Sequence, residues 1–255
     1  MLKTRVIPTL LRNAQGLVKG KSFDSWRRVG TVLPAIKVYN MREVDELILL
    51  DINATTENRN QIYSEIEELT SQSFVPLTIG GGINNLDQIK NLLLSGADKV
   101  CINTSAYYKP EIIKKASETF GSQCIIISVD VKKRKNGYLE CYSHSGSKRT
   151  GKEVSKHCKE MQSFGAGEIL ITSITHDGMM KGYDLELITL ISKSVTIPVI
   201  ASGGAGNYKH MSSAIKSGAN SVAAASMFHY TEQTPSEAKK YLKSNGIPIR
   251  NSIVT

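Results

Sequence analysis

Five clusters of small and hydroxyl-bearing residues could hold anions. They are Gly80-Gly81-Gly82, Asn103-Thr104-Ser105, Asp177-Gly178, Ser202-Gly203-Gly204-Ala205-Gly206 and Ala225-Ser226. Glycine lets a backbone approach a ligand closely and offer it N–H groups. Such amides, with the start of a following helix, suit phosphate, and Thr104 and Ser226 would add hydroxyl donors. Any single Gly-Gly pair also fits a tight turn between a strand and a helix. The pattern occurs twice, however, each time with a hydroxyl residue after the neighbouring strand. Two such sites facing one another predict a ligand with two phosphates.

A second set carries charge. Arg5, Glu46, Lys99 and Glu168 each open a β-rich apolar run. Two-residue alternation puts Arg5, Ile7 and Thr9 on one face, and likewise Lys99, Cys101 and Asn103. If Asn103 points inward near the glycines, Lys99 points inward at the opposite end of its strand. Two cations and two anions there could form a neutral ring, since a lone buried charge would be costly. The ring reads equally as a structural salt-bridge cluster or as a gate.

The elements that must hold these residues follow a regular series. Apolar runs rich in β-formers lie at 5–10, 46–52, 75–79, 99–103, 123–130, 168–173, 197–202 and 221–225. Segments with helical spacing lie between them, among them 85–94, 110–119 and 210–216. Alternating strands and helices imply parallel βαβ units. Eight units in 255 residues match an α/β fold of the (β/α)8 TIM-barrel type, with an open doubly wound sheet as the alternative. An internal repeat favours closure. VPLTIGGG (75–82) aligns with IPVIASGG (197–204) at an offset of 122. The same offset carries Gly96-Ala97-Asp98 onto Gly218-Ala219-Asn220, and Glu46-Leu47-Ile48 onto Glu168-Ile169-Leu170. Two half-barrels, about 1–120 and 121–255, would then form one domain over 1–255. In such a barrel the site lies at the C-terminal ends of the strands, where the glycine clusters fall. The long polar stretch 132–152 predicts a hairpin or lid after the fifth strand.

Bulk properties exclude several classes. No apolar run reaches the roughly 18 residues of a membrane span, and the N-terminus lacks a signal-peptide core, so a cytoplasmic protein is expected. Cys101, Cys124, Cys141 and Cys158 form no CxxC pair and have no histidine at ligand spacing. They read as reduced structural thiols, with no metal and no cofactor expected. The net charge of +9 comes from scattered lysines with few aromatics between them. That pattern suits a solvated surface, phosphate ligands or an acidic protein partner, and not nucleic acid.

The motifs RVIP, GLVKG, VDELILLDI, TIGGGI, GADKVCINT, FGSQ, GAGEILITSITHDG, IASGGAG and ASMFH span nearly the whole chain. Through them the chain resembles the cyclase subunit of imidazole glycerol phosphate synthase. The resemblance implies a glutaminase subunit docked on the barrel floor. Ammonia released there would pass a ring of four charges, matched by Arg5, Glu46, Lys99 and Glu168, and travel through the barrel. Asp98 and Gln123 match floor positions that face the glutaminase. Gly82, Asn103, Thr104, Asp177, Gly178, Gly204, Ala225 and Ser226 match the phosphate sites. Lys19, in the loop after the first strand, matches a lysine near the substrate.

One position departs from the family. Its cyclase uses two aspartates as acid and base, one on the first strand and one on the fifth. Asp130 is present in SVDVKK, but the first strand reads TLLRN, with Leu11 in place of the acid. The internal repeat also sets TLLRN against SVDVK, pairing Leu11 with Asp130. Leucine cannot transfer a proton, and losing one acid/base group costs on the order of 10²–10⁴ in rate. Asp51 could substitute, but ordinary members share it. This pattern resembles family members found beside surface-polysaccharide genes. In those, the barrel and its glutaminase feed ammonia to a third protein that amidates an acetamido sugar. The expected function is such a conduit subunit. The alternative is the ordinary cyclase of histidine biosynthesis.

Overall fold

The computed structural model describes residues 3–250. β1 (Arg5–Asn13) runs into a hairpin of β2 (Gly16–Lys21) and β3 (Asp24–Gly30), followed by α1 (Val32–Met41). The first half continues through β4 (Leu47–Asp51), α2 (Tyr63–Ser71), β5 (Leu77–Gly80), α3 (Leu86–Leu94) and β6 (Lys99–Ile102). It ends with α4 (Thr104–Tyr108) and α5 (Glu111–Phe120). The second half opens on β7 (Ile125–Lys133), β8 (Leu139–Ser143), β9 (Lys148–Glu153) and α6 (Val154–Ser163). Then come β10 (Glu168–Ser173), α7 (Leu185–Ser194), β11 (Val199–Ser202), α8 (Tyr208–Lys216), β12 (Ser221–Ala224), α9 (Ser226–Tyr230) and α10 (Pro235–Ser244).

Eight strands pair in parallel in the order β1, β4, β5, β6, β7, β10, β11, β12, and β12 returns to β1. The sheet is therefore a closed barrel, and the open-sheet alternative fails. Alternation builds two cores. Ile7, Ile48, Cys101, Ile126, Leu170, Ile200 and Ala223 fill the lumen. Their strand neighbours Val6, Leu47, Leu49, Val100, Ile102 and Ile127 pack outward under the helices. Burial on both faces explains the unbroken apolar runs of the sequence.

The repeat extends to single hydrogen bonds. Asn85 caps α3 by accepting from the Gln88 N–H at 2.9 Å, and Asn207 caps α8 from the His210 N–H at 3.0 Å. The runs at 75–79 and 197–202 were expected to be strands throughout, but β5 and β11 begin only after Pro76 and Pro198. Their carbonyls still extend the sheet, accepting from the Leu47 and Ile169 N–H groups, both at 2.9 Å. The polar stretch after the fifth strand is a hairpin, as expected, with β8 antiparallel to β7 and β9 to β8. The matching hairpin β2–β3 was not anticipated. It draws β1 out to Asn13 by antiparallel pairing with β2. Among the described residues, no helix is long and apolar enough to cross a membrane.

Candidate functional site

At the N-terminal ends of the strands, the four predicted charges meet. Arg5 donates through Nη1 to Glu46 at 2.9 Å and through Nη2 to Glu168 at 2.5 Å. Lys99 Nζ donates to Glu46 at 2.8 Å and to Glu168 at 2.6 Å. The Arg5 Nε–H reaches the Ser221 hydroxyl at 2.9 Å. The ring is neutral and each carboxylate is shared by both cations, which is how a charge cluster survives burial. Burial works against the charges of Arg5 and Glu168. The hydrogen bonds and charges between them outweigh it, holding the guanidinium above and the carboxyl below their ordinary ranges. The ring plugs the barrel floor. Asp98 and Gln123 lie near it and are exposed. Asp98 also ties the start of β5. Its Oδ2 accepts from the Leu77 N–H at 2.8 Å, as Asn220 Oδ1 does from Val199 at 2.9 Å.

At the other end a cavity opens, lined by Gly82, Asn103, Thr104, Asp177, Gly204, Ala225 and Ser226 among others. Gly82 and Gly204 have φ of +72° and +111°. A side chain at Gly82 would meet the Arg59 carbonyl at 2.8 Å, and one at Gly204 would meet the Gly182 carbonyl. Only glycine suits both turns. Thr104 and Ser226 begin α4 and α9. Thr104 Oγ1 accepts from the His144 N–H at 3.1 Å, whereas Ser226 Oγ is buried with no partner among the described residues. A buried hydroxyl without a partner is unusual, and a phosphate oxygen would satisfy it.

Between the two cradles stand Leu11 and Asp130, both lining the cavity. Asp130 is buried, and Asn103 Nδ2 donates to its Oδ2 at 3.0 Å. Burial, and then the charge of Asp177, push its carboxyl up to about 7, against hydrogen bonding from Ser128. A carboxyl poised there can give or take a proton near neutral pH. Leu11 offers no counterpart. Asp51 does not replace it. Its carboxylate is engaged by Arg59 at 3.2 Å and Arg12 at 3.5 Å, and accepts from the N–H groups of Asn53 and Ala54.

Two predicted residues sit differently from expectation. Lys19 belongs to strand β2 and not to a loop. It is buried, with Nζ 2.5 Å from Asp177 Oδ2. That ion pair lets the hairpin lie down over the mouth, and the Ser22 N–H adds a bond of 2.8 Å to the Asp177 carbonyl. Gly178 is outside the cavity lining. A Cβ there would strike the Gly20 carbonyl, so this glycine lets the hairpin pack closely. Phe23 and Trp26 of the hairpin also line the cavity. Sequence reasoning missed them, although two aromatics in an otherwise polar segment were a usable signal.

Fold and site together define a (β/α)8 barrel with a twofold anion-suited mouth and a charged plug in its floor. The profile of the family described as "Histidine biosynthesis protein" matches residues 5–234. A protein of Endomicrobium trichonymphae described as "Imidazole glycerol phosphate synthase subunit HisF" is 47% identical over 250 residues, covering 98% of this chain and 96% of the relative. The chain belongs to the HisF family of histidine-biosynthesis barrels.

Proposed function

We propose that the chain is the barrel subunit of a glutamine amidotransferase of the imidazole glycerol phosphate synthase type. A HisH-type glutaminase docks on the floor, near Asp98 and Gln123, and hydrolyses glutamine to glutamate and ammonia. Arg5, Glu46, Lys99 and Glu168 gate entry of that ammonia into the lumen. Gly82, Asn103 and Thr104 on one side, and Asp177, Gly204, Ala225 and Ser226 on the other, bind a phosphorylated ligand, with Lys19 holding the hairpin above it. Gly178 supports the hairpin from behind. The barrel is a specialised paralogue that supplies ammonia for amidination of an acetamido sugar in surface-polysaccharide synthesis. A separate sugar amidotransferase consumes it. No membrane or nucleic acid takes part.

The observation that carries this reading is Leu11 at the twofold counterpart of Asp130, with Asp51 already engaged. The cyclase reaction needs proton transfer on both sides of its substrate, and here one side is hydrocarbon. The second reading is the ordinary cyclase. It would join ammonia to the phosphoribulosyl formimino-carboxamide ribotide and cleave it to imidazole glycerol phosphate and aminoimidazole carboxamide ribotide. Identity of 47% over 98% of the chain and a mouth with both cradles favour it.

The deciding assay gives the purified barrel excess ammonia and that ribotide, and follows imidazole glycerol phosphate. The natural protein should be slow or inactive, with Leu11→Asp gaining on the order of 10²-fold or more. Ready turnover by the natural protein would establish the ordinary cyclase with Asp130 sufficing.

A further inference from the structure

Thr9 and Ser128 occupy one position in the two halves of the barrel. Each follows an inward isoleucine, Ile7 or Ile126, by two residues, and precedes Leu11 or Asp130 by two. β1 and β7 lie four strands apart in the eight-stranded ring, so these residues approach the lumen from opposite walls. Both are buried and both line the cavity that opens to the mouth. Below them the lumen is filled by Ile7, Ile48, Ile126 and Ile200.

Their hydrogen bonding is incomplete. Thr9 Oγ1 is buried with no partner among the described residues. Ser128 is held by its backbone, whose carbonyl accepts from Asn103 Nδ2 at 3.0 Å on its own side of the lumen. A hydroxyl carries one donor and two acceptor sites, and buried polar groups are nearly always paired. Thr9 therefore presents unused capacity to the cavity. The isoleucine layer beneath would penalise an ion far more than a small neutral molecule.

We infer that Thr9 and Ser128 form a station for one neutral, ammonia-sized molecule at the top of the apolar lumen, directly below Asp130. The station rests on the conduit reading for the identity of its occupant, since the plug in the floor leads into this lumen. It gives ammonia a place to pause where the apolar passage ends, hydrogen-bonded to hydroxyls that neither protonate it nor react with it. Asp130 then stands next in line.

The test titrates ammonia alone into the full chain carrying ¹³C-labelled threonine methyl groups, at a pH where most of the solute is uncharged. The Thr9 resonance is assigned by its loss in Thr9→Val. That methyl should shift saturably with ammonia and stay unmoved by sodium chloride at the same pH. Ser128→Ala should weaken the apparent affinity about two- to tenfold, the worth of one neutral hydrogen bond. A shift that rises without saturating, or an affinity unchanged in Ser128→Ala, would overturn the station. So would an equal response to ammonium chloride at neutral pH, which would mark a cation held by Asp130 instead. Because the solute enters from the open mouth, this result is independent of the glutaminase. A saturable station without glutamine-dependent coupling would remove the conduit and keep the station. Intact coupling without saturation would remove the station alone.

Discussion

The two half-barrels share a skeleton and differ in chemistry. The shared features are bonds that hold elements together: the Asn85 and Asn207 caps, the Pro76 and Pro198 carbonyls, and the clasps of Asp98 and Asn220. The differences cluster where a ligand or a charge would be touched. Leu11 stands against Asp130, Asn103 against Ala225, and an engaged Thr104 against an unpartnered Ser226. The floor is equally lopsided. Glu46 and Glu168 are twofold mates, yet both cations, Arg5 and Lys99, come from the first half. The counterpart of Lys99 at the offset of 122 is Ser221. Hydrogen bonds that satisfy backbone groups thus keep the repeat visible, while side chains that face the lumen have diverged.

The hardest way to break this comparison is at the floor. Arg5→Ala leaves two buried carboxylates with only Lys99 between them. Denaturant unfolding should show a loss of about 3–5 kcal/mol, and glutamine-dependent coupling should become leaky. A loss under about 1 kcal/mol would mean the plug is well hydrated and not held by pairing.

Asp130→Asn sharpens the contrast at the mouth. The native carboxyl titrates at about 7, above its unfolded value of about 4. The folded state therefore holds its proton more tightly. The contribution to stability is fully present below about pH 4 and is lost as pH rises through about 7. The stability of the natural protein relative to Asp130→Asn should fall across that window by a few kcal/mol at most. A flat difference would show that Asp130 is not perturbed. Leu11 predicts no such window on its own side.

The cradles should separate in a smaller experiment. Ser226→Ala removes a hydroxyl with no protein partner, so the free protein should lose no stability while inorganic phosphate binds about tenfold more weakly. Thr104→Val removes the acceptor of the His144 N–H and should cost the free protein about 1 kcal/mol. Equal effects in calorimetry and unfolding would erase the distinction. The smallest effect belongs to the clasp. Asn220 already does with an amide what Asp98 does with a carboxylate, so Asp98→Asn should change stability by less than about 0.5 kcal/mol.

Much of this was legible in the sequence because both signals were periodic. Burial on two faces made the barrel strands continuous apolar runs, and the repeat favoured closure. The four floor charges were readable because each stands at the start of an apolar run, and alternation set Arg5 and Lys99 in line with residues farther up their strands. The β2–β3 hairpin was not legible. Lys19, Lys21, Asp24, Arg27 and Arg28 hide its alternation, its register slips twice, and it needs positive φ at Ser22 and Phe23 in the turn and at Ser25 within β3. Lys19 is buried only because Asp177, 158 residues away, neutralises it, and no local pattern records such a pairing. Thr9 was placed on one face with Arg5 and Ile7, but its unpartnered hydroxyl depends on what the opposite wall supplies.

The lopsided plug has a consequence for how the halves recognise one another. Taken alone, the first half would carry two plug cations and one carboxylate, and the second a single carboxylate. Two first halves would meet with surplus positive charge, and two second halves with bare negative charge. Only first against second cancels. The plug is therefore a mating key. It selects one pairing of two nearly interchangeable pieces, where the shared skeleton would tolerate three.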